Sequence, residues 1–262
     1  MKKQLFFIPI AILFVFVFSG VSYAQYEQHI VNSLNRIASH EAERQTNELA
    51  NIQKRGDTMI SNRITSLNNL LTRINNDKRL SSDEKTSLAS DIDTTISGLT
   101  TLKAKIDADT DATTARADVK SIVTSYRVYM IFEPKERYLV VINNLQTVET
   151  NIAGLLPNVQ NLITEQKNAR KDVTALENLY NDINTQISTI SSTLTTDKSL
   201  VSAVSIQTTD PASVFTQVKQ GIQSVRADFE KIHQDFMQMR IDFRGLFGTT
   251  ITTTPSATPT TP

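Results

Sequence analysis

Asp107, Asp109 and Asp111 stand at alternate positions with Asp118 further on, which reproduces the D-x-D-x-D start and the twelfth-position carboxylate of an EF-hand calcium loop. A hard cation needs several oxygens at once, and carboxylates at this spacing between two helices can supply them. Three positions depart from the pattern: Ala112 replaces the glycine of the sharp turn, Thr114 replaces the usual apolar residue, and Asp118 is shorter than the bidentate Glu. The competing account makes Asp111 the cap of a helix and leaves the other acids to solvent. That account is preferred, because a matching stretch later in the chain keeps the cap as Asp210 but has Ile206 and Thr208 where Asp107 and Asp109 would fall. Calcium is retained as a candidate ligand of the four aspartates, and no other cofactor is implied.

No further catalytic constellation emerges. His29, His40 and His233 are far apart in sequence, and His40-Glu41 lacks the second histidine of a zinc-protease H-E-x-x-H motif. The chain carries no G-x-S-x-G elbow, no phosphate-binding glycine loop and no cysteine, so thiolate metal sites and disulfides are excluded. It is read as a non-enzyme.

The segment that places the protein in the cell is the first one. Lys2 and Lys3 precede an unbroken apolar run over residues 5–18, and Ser22-Tyr23-Ala24 follows before Gln25. This is the order of a secretory signal peptide over residues 1–24, cleaved to leave Gln25 first and no membrane association. The alternative is an uncleaved membrane anchor. No Cys follows the run, which excludes a lipid anchor, and the chain without its leader has 25 basic against 27 acidic residues, a net charge of −2. That balance argues against nucleic acid as a partner, since phosphate binding needs a concentrated basic face.

Only seven glycines and seven prolines occur in 262 residues, with no tryptophan. Apolar residues recur at alternating spacings of four and three, the pattern of helices sharing a seam. The expected fold is all-α, an elongated antiparallel bundle with coiled-coil-like seams. One seam is Ile60, Ile64, Leu67, Leu71, Ile74, and another is Leu88, Ile92, Ile96, Leu99, Ile106. Ser81 and Glu84 between them form an S-x-x-E capping box. A third helix follows Asp111 and enters residues 128–132, the most apolar stretch after the leader, so Ile122, Tyr126, Tyr129 and Ile131 are expected in the core. Pro134 should kink the chain there. Beyond it the seam continues through Tyr138, Val141, Leu145, Val148, Ile152, Leu155, Val159 and Leu162, with Pro157 read as a bend. The four–three phase runs on past Ala169 as in one long helix, but the polar residues 165–172 favour a turn before Asp172. The last helix starts at Asp210-Pro211 and carries Phe215, Val218, Ile222, Val225, Phe229, Ile232, Phe236, Met239, Phe243 and Leu246. Its phenylalanines are read as core, with self-association as the alternative.

An internal repeat orders these pieces. Leu88, Asp91, Ile92, Thr94, Ile96 and Ser97 match Leu179, Asp182, Ile183, Thr185, Ile187 and Ser188 at an offset of 91, and Asp111, Val119 and Lys120 match Asp210, Val218 and Lys219 at an offset of 99. The expected organisation is a leader (1–24), an N-terminal helical segment (25–56), a first helical unit (57–133), a second (134–248), and a disordered Thr/Pro-rich tail (249–262). The two three-helix units share a long helix kinked at Pro134, a layout similar to spectrin repeats in topology alone.

Three segments, KRLSSDEK (78–85), LKAKIDADTD (102–111) and ADVKSIVTSYRVY (117–129), resemble a group of secreted helical proteins of candidate-phyla bacteria, the Patescibacteria. The resemblance spans about residues 57–245. It implies secretion and helical architecture and supplies no catalytic residue. The functional expectation is a secreted or cell-envelope bundle with a structural, spacer or protein-interaction role, its partner an envelope protein or a second copy. A calcium- or small-ligand-binding protein is the alternative.

Overall fold

A computed structural model describes residues 23–248, and among these every regular element is a helix. The expectations for residues 1–22 of the leader and for the tail from residue 249 lie outside the described residues. The helices are α1 (Tyr23–Asn76), α2 (Ser82–Ala108), α3 (Ala112–Ser125), α4 (Val128–Asn168), α5 (Thr174–Ala203) and α6 (Pro211–Gly248). Among the described residues no helix is long and apolar enough to cross a membrane.

The chain divides into two compact units between Asn51 and Ile52. The N-terminal unit, where described, is a single stretch of helix in which Ile30, Val31, Leu34 and Ile37 are 45%, 53%, 58% and 65% exposed. In the other unit one continuous core joins Ile60, Leu67 and Ile74 of α1 with Ile92, Leu99 and Ile106 of α2. The same core includes Ile122 of α3, Ile131 and Ile142 of α4, Ile183 and Ile190 of α5, and Val218 and Val225 of α6. The expected division at residues 133–134 therefore falls inside one compact unit, and α1 runs unbroken through the expected boundary at 56–57. Gly56 lets α1 pack closely on α3, since a Cβ there would stand 2.9 Å from Val119 Cγ2.

Local hydrogen bonding explains most helix starts. At α2 the Glu84 amide donates to Ser81 Oγ at 3.2 Å and the Ser81 amide donates to Glu84 Oε2 at 2.7 Å, the reciprocal pair of a capping box. Asp210 accepts from the Ser213 amide at 3.1 Å at the start of α6. The turn before α5 is present: Arg170 takes a left-handed φ of 57°, and Asp172 accepts the Thr174 amide at 3.1 Å.

The long shared helix is present with its bend in a different place. The break falls at Tyr126 and Arg127, upstream of Pro134, and both Pro134 and Pro157 lie within α4. Tertiary contacts set this position. The Tyr126 ring lies against Gly98, where a Cβ would be 2.6 Å from its hydroxyl, and Arg127 donates to the Thr208 and Thr209 carbonyls at 2.8 and 3.2 Å. The break also corrects the expected core. Ile122 and Ile131 are fully buried and Tyr126 packs against the core, but Tyr129 is 46% exposed, with Arg63 over its ring and Ser66 at its hydroxyl.

Candidate functional site

Each carboxylate of the aspartate loop is placed by its own helix end. Asp111 accepts the amides of Thr113 and Thr114, both at 2.9 Å, and these bonds hold its carboxyl below the usual range. Asp107 at the end of α2 accepts from Lys103 at 2.8 Å, and the same ammonium reaches Asp57 of α1 at 2.7 Å. Asp118, on the inner face of α3, accepts from Lys105 at 2.9 Å. Asp109 is pushed upward, first by burial and then by the charge of Asp118. Gln53 of α1 closes the loop by donating to the carbonyls of Ile106, Asp107 and Asp109 at 3.0, 3.3 and 3.2 Å. Lysines and helix amides thus already engage Asp107, Asp111 and Asp118. Among the described residues no group of three or more His, Cys, Asp or Glu is arranged to hold a metal ion, and all three histidines are exposed.

A denser polar constellation lies where the α1–α2 turn, α4 and α5 meet. Glu84, the capping-box acid, receives Lys198 of α5 at 2.9 Å and Asn143 of α4 at 2.8 Å. Burial alone would raise its carboxyl, but the donors from Ser81, Lys198 and Asn143 outweigh burial and hold it below the usual range. Nearby, the buried Lys135 ammonium donates to Asp91 of α2 at 2.9 Å and to the Val204 carbonyl at 2.8 Å. The buried Glu136 accepts two bonds from Arg73 of α1, both 3.2 Å. These contacts fix α4 against three neighbours. A cleft of about 430 Å³ opens beside them, lined by Lys78, Arg79, Ser81, Glu84, Asn143 and Thr147 among others.

Asp197, the residue before Lys198, differs. It is 3% exposed, its Oδ2 has no hydrogen-bond partner, and burial pushes its carboxyl up to about 6. It faces α6 at Gly221, where any Cβ would collide with the carboxyl group.

The remaining site is apolar. Between the C-terminal parts of α4 and α6 lies a groove of about 410 Å³, lined by Val159 and Leu162 on one side and Phe236, Met239 and Phe243 on the other. Arg240 and Arg244, one turn apart on α6, complete its lining and are exposed. The sequence reading took Leu162 and the α6 phenylalanines as core. The structure keeps Met239 at 2% exposure, leaves Phe236 and Phe243 half-buried, and leaves Leu155 and Leu162 at 54% and 42%.

Sequence reasoning passed over Lys135, Glu136 and Asp197. Asp197 had a signal: it interrupts the α5 seam between Leu194 and Val201, at the position that Ile106 holds in α2 by the offset of 91. Lys135 and Glu136 had none, because a charged pair after a proline reads as surface. Compared with protein-family models, curated proteins and solved structures, the chain has no match in any of the three.

Proposed function

We propose that this protein acts outside the cytoplasm, without catalysis, as a helical scaffold that binds another protein helix through the groove between α4 and α6. The observation that carries this reading is the groove itself, an apolar floor left uncovered between two helices that are otherwise packed into the bundle. Apolar side chains presented at helical spacing fit such a groove, and Arg240 and Arg244 at its margin favour acidic flanks on the partner. Export rests on the charged, apolar and small-residue order of residues 1–24.

The chain has no cysteine, so a single engineered thiol is unique. Asn158→Cys puts one on the exposed face of α4 a turn before Leu162, ready to carry a photoactivated cross-linker. In cells exporting the protein, irradiation should give one discrete protein adduct that disappears with Phe243→Asp. A diffuse adduct, or none, would overturn the reading.

A further inference from the structure

We propose that Asp197 is a proton-operated latch between α5 and α6: the neutral carboxyl lets the two helices close at Gly221, and the ionised carboxylate parts them there. Asp197 is 3% exposed, and its Oδ2 is buried with no hydrogen-bond partner. Gly221 of α6 lies directly against that carboxyl, where a Cβ would overlap both oxygens. Glycine is what permits so close an approach in the interior of a helix. The residues one turn away along each helix are apolar and buried: Leu194 and Val201 on α5, Val218 and Val225 on α6.

The surroundings offer an ionised Asp197 no balancing charge. On α5 its neighbour Lys198 reaches Glu84 of α2 at 2.9 Å and Asn143 of α4 at 3.0 Å, and so is already engaged. On α6 the charged residue within four positions of Gly221 is Lys219, which is exposed. On α4, residues 138–148 around the level of Asn143 carry no charge, and their titratable side chain, Tyr138, is stacked on Phe215 of α6 at 5.5 Å. Burial by itself pushes the Asp197 carboxyl up to about 6.

A carboxylate ionised in such a seam must gain water, because an unpaired buried charge is far more costly than a hydrated one. The shortest route to water is at Gly221, where no side chain of α6 has to move aside and a separation of about 3 Å admits one molecule. Because α6 packs against α4 and α5, its movement there leaves the packing of α2 on α3 in place. The closed contact is the protonated form. Parting of the helices releases the proton, so the parted form gains as pH rises from the ordinary aspartate value near 3.8 through about 6, and levels off above it.

Hydrogen exchange of the exported chain, read by mass spectrometry at about pH 4.5 and about pH 7.5 and corrected for the intrinsic pH dependence of exchange, tests this. Amides of residues 194–201 and 218–225 should lose protection by about thirtyfold at the higher pH, while amides of α2 keep theirs. In Asp197→Asn, which preserves the shape and cannot ionise, the seam should be equally protected at both pH values. Gly221→Ala should leave the seam weakly protected at both, since the added Cβ holds the helices apart. A carboxyl-carbon NMR titration of wild-type Asp197 needs no variant and should give a midpoint of about 6. Loss of protection spread equally over α2 would show whole-chain unfolding and overturn the latch. A pH dependence that persists in Asp197→Asn, wild-type protection independent of pH, a Gly221→Ala seam that stays closed, or an Asp197 midpoint of about 4 would overturn it as well.

Discussion

The polar junction of α2, α4 and α5 and the far end of the α4–α6 pair solve opposite problems. At the junction, buried charges meet charges: Glu84 has Lys198 and Asn143, Lys135 has Asp91, and Glu136 has Arg73. Each bond has one favourable register, so these contacts select the placement of α4 among many apolar alternatives. At the far end the helices are held by apolar packing through Ile163, Leu176, Ile232 and Met239, which is tolerant of register, and an apolar face remains uncovered. The polar region specifies how the chain folds upon itself, and the apolar end leaves part of its face uncovered.

The largest test of this contrast is Lys135→Ala. Removing the ammonium leaves Asp91 and the Val204 carbonyl without their donor, and stability to urea should fall by about 3 kcal/mol. Loss below about 1 kcal/mol would show the junction to be incidental.

Asp197 and Glu84 sharpen the contrast, because Asp197 is buried and Glu84 half-buried, and their carboxyls are shifted in opposite directions. The folded pKa of Asp197 is raised to about 6, so its contribution to stability is full below the unfolded value near 3.8 and is lost as pH rises through about 6. Asp197→Asn should remove that loss and stabilise the protein at pH 8 by about 2 kcal/mol. Glu84 is lowered, so its contribution is present above the unfolded value and disappears as pH falls through the folded one; Glu84→Gln should remove the acid-side loss. Unfolding midpoints across pH 3–8 for wild type and both variants decide between these, and identical pH profiles would contradict the different environments of the two acids.

A smaller effect separates neighbours on α4. Ile163 is 1% exposed and Leu162 42%, so Ile163→Ala should cost about 3 kcal/mol and Leu162→Ser about 0.5 kcal/mol. Equal costs would place the groove within the core. Tyr129→Ala belongs with the surface changes, at about 0.5 kcal/mol. The smallest expected effect is that of calcium: unfolding of wild type and Asp109→Ala with calcium and with chelator should give, within each protein, the same midpoint. A calcium-dependent rise in the wild type alone would make the aspartate loop a metal site.

What the sequence by itself determined was local. The helices follow from spacing, and the starts at Ser81, Asp111 and Asp210 were legible because a cap and the amide it accepts lie within three residues of one another. The match between α2–α3 and α5–α6 was legible for the same reason, since it is a comparison of local patterns. The tertiary structure alone decided which stripe of α4 is core. The seam read through Val148, Leu155 and Leu162 is the exposed edge of a wider apolar surface, and the buried positions are their near neighbours Leu139, Ile142, Leu156 and Ile163. It also decided the bend at residues 126–127, the burial of Lys135 and Glu136, and the lysine partners of Asp107 and Asp118. A spacing pattern reports that a helix has an apolar face, but which side of that face meets a neighbour depends on residues tens of positions away, where Gly98, Thr208 and Asp91 receive Tyr126, Arg127 and Lys135.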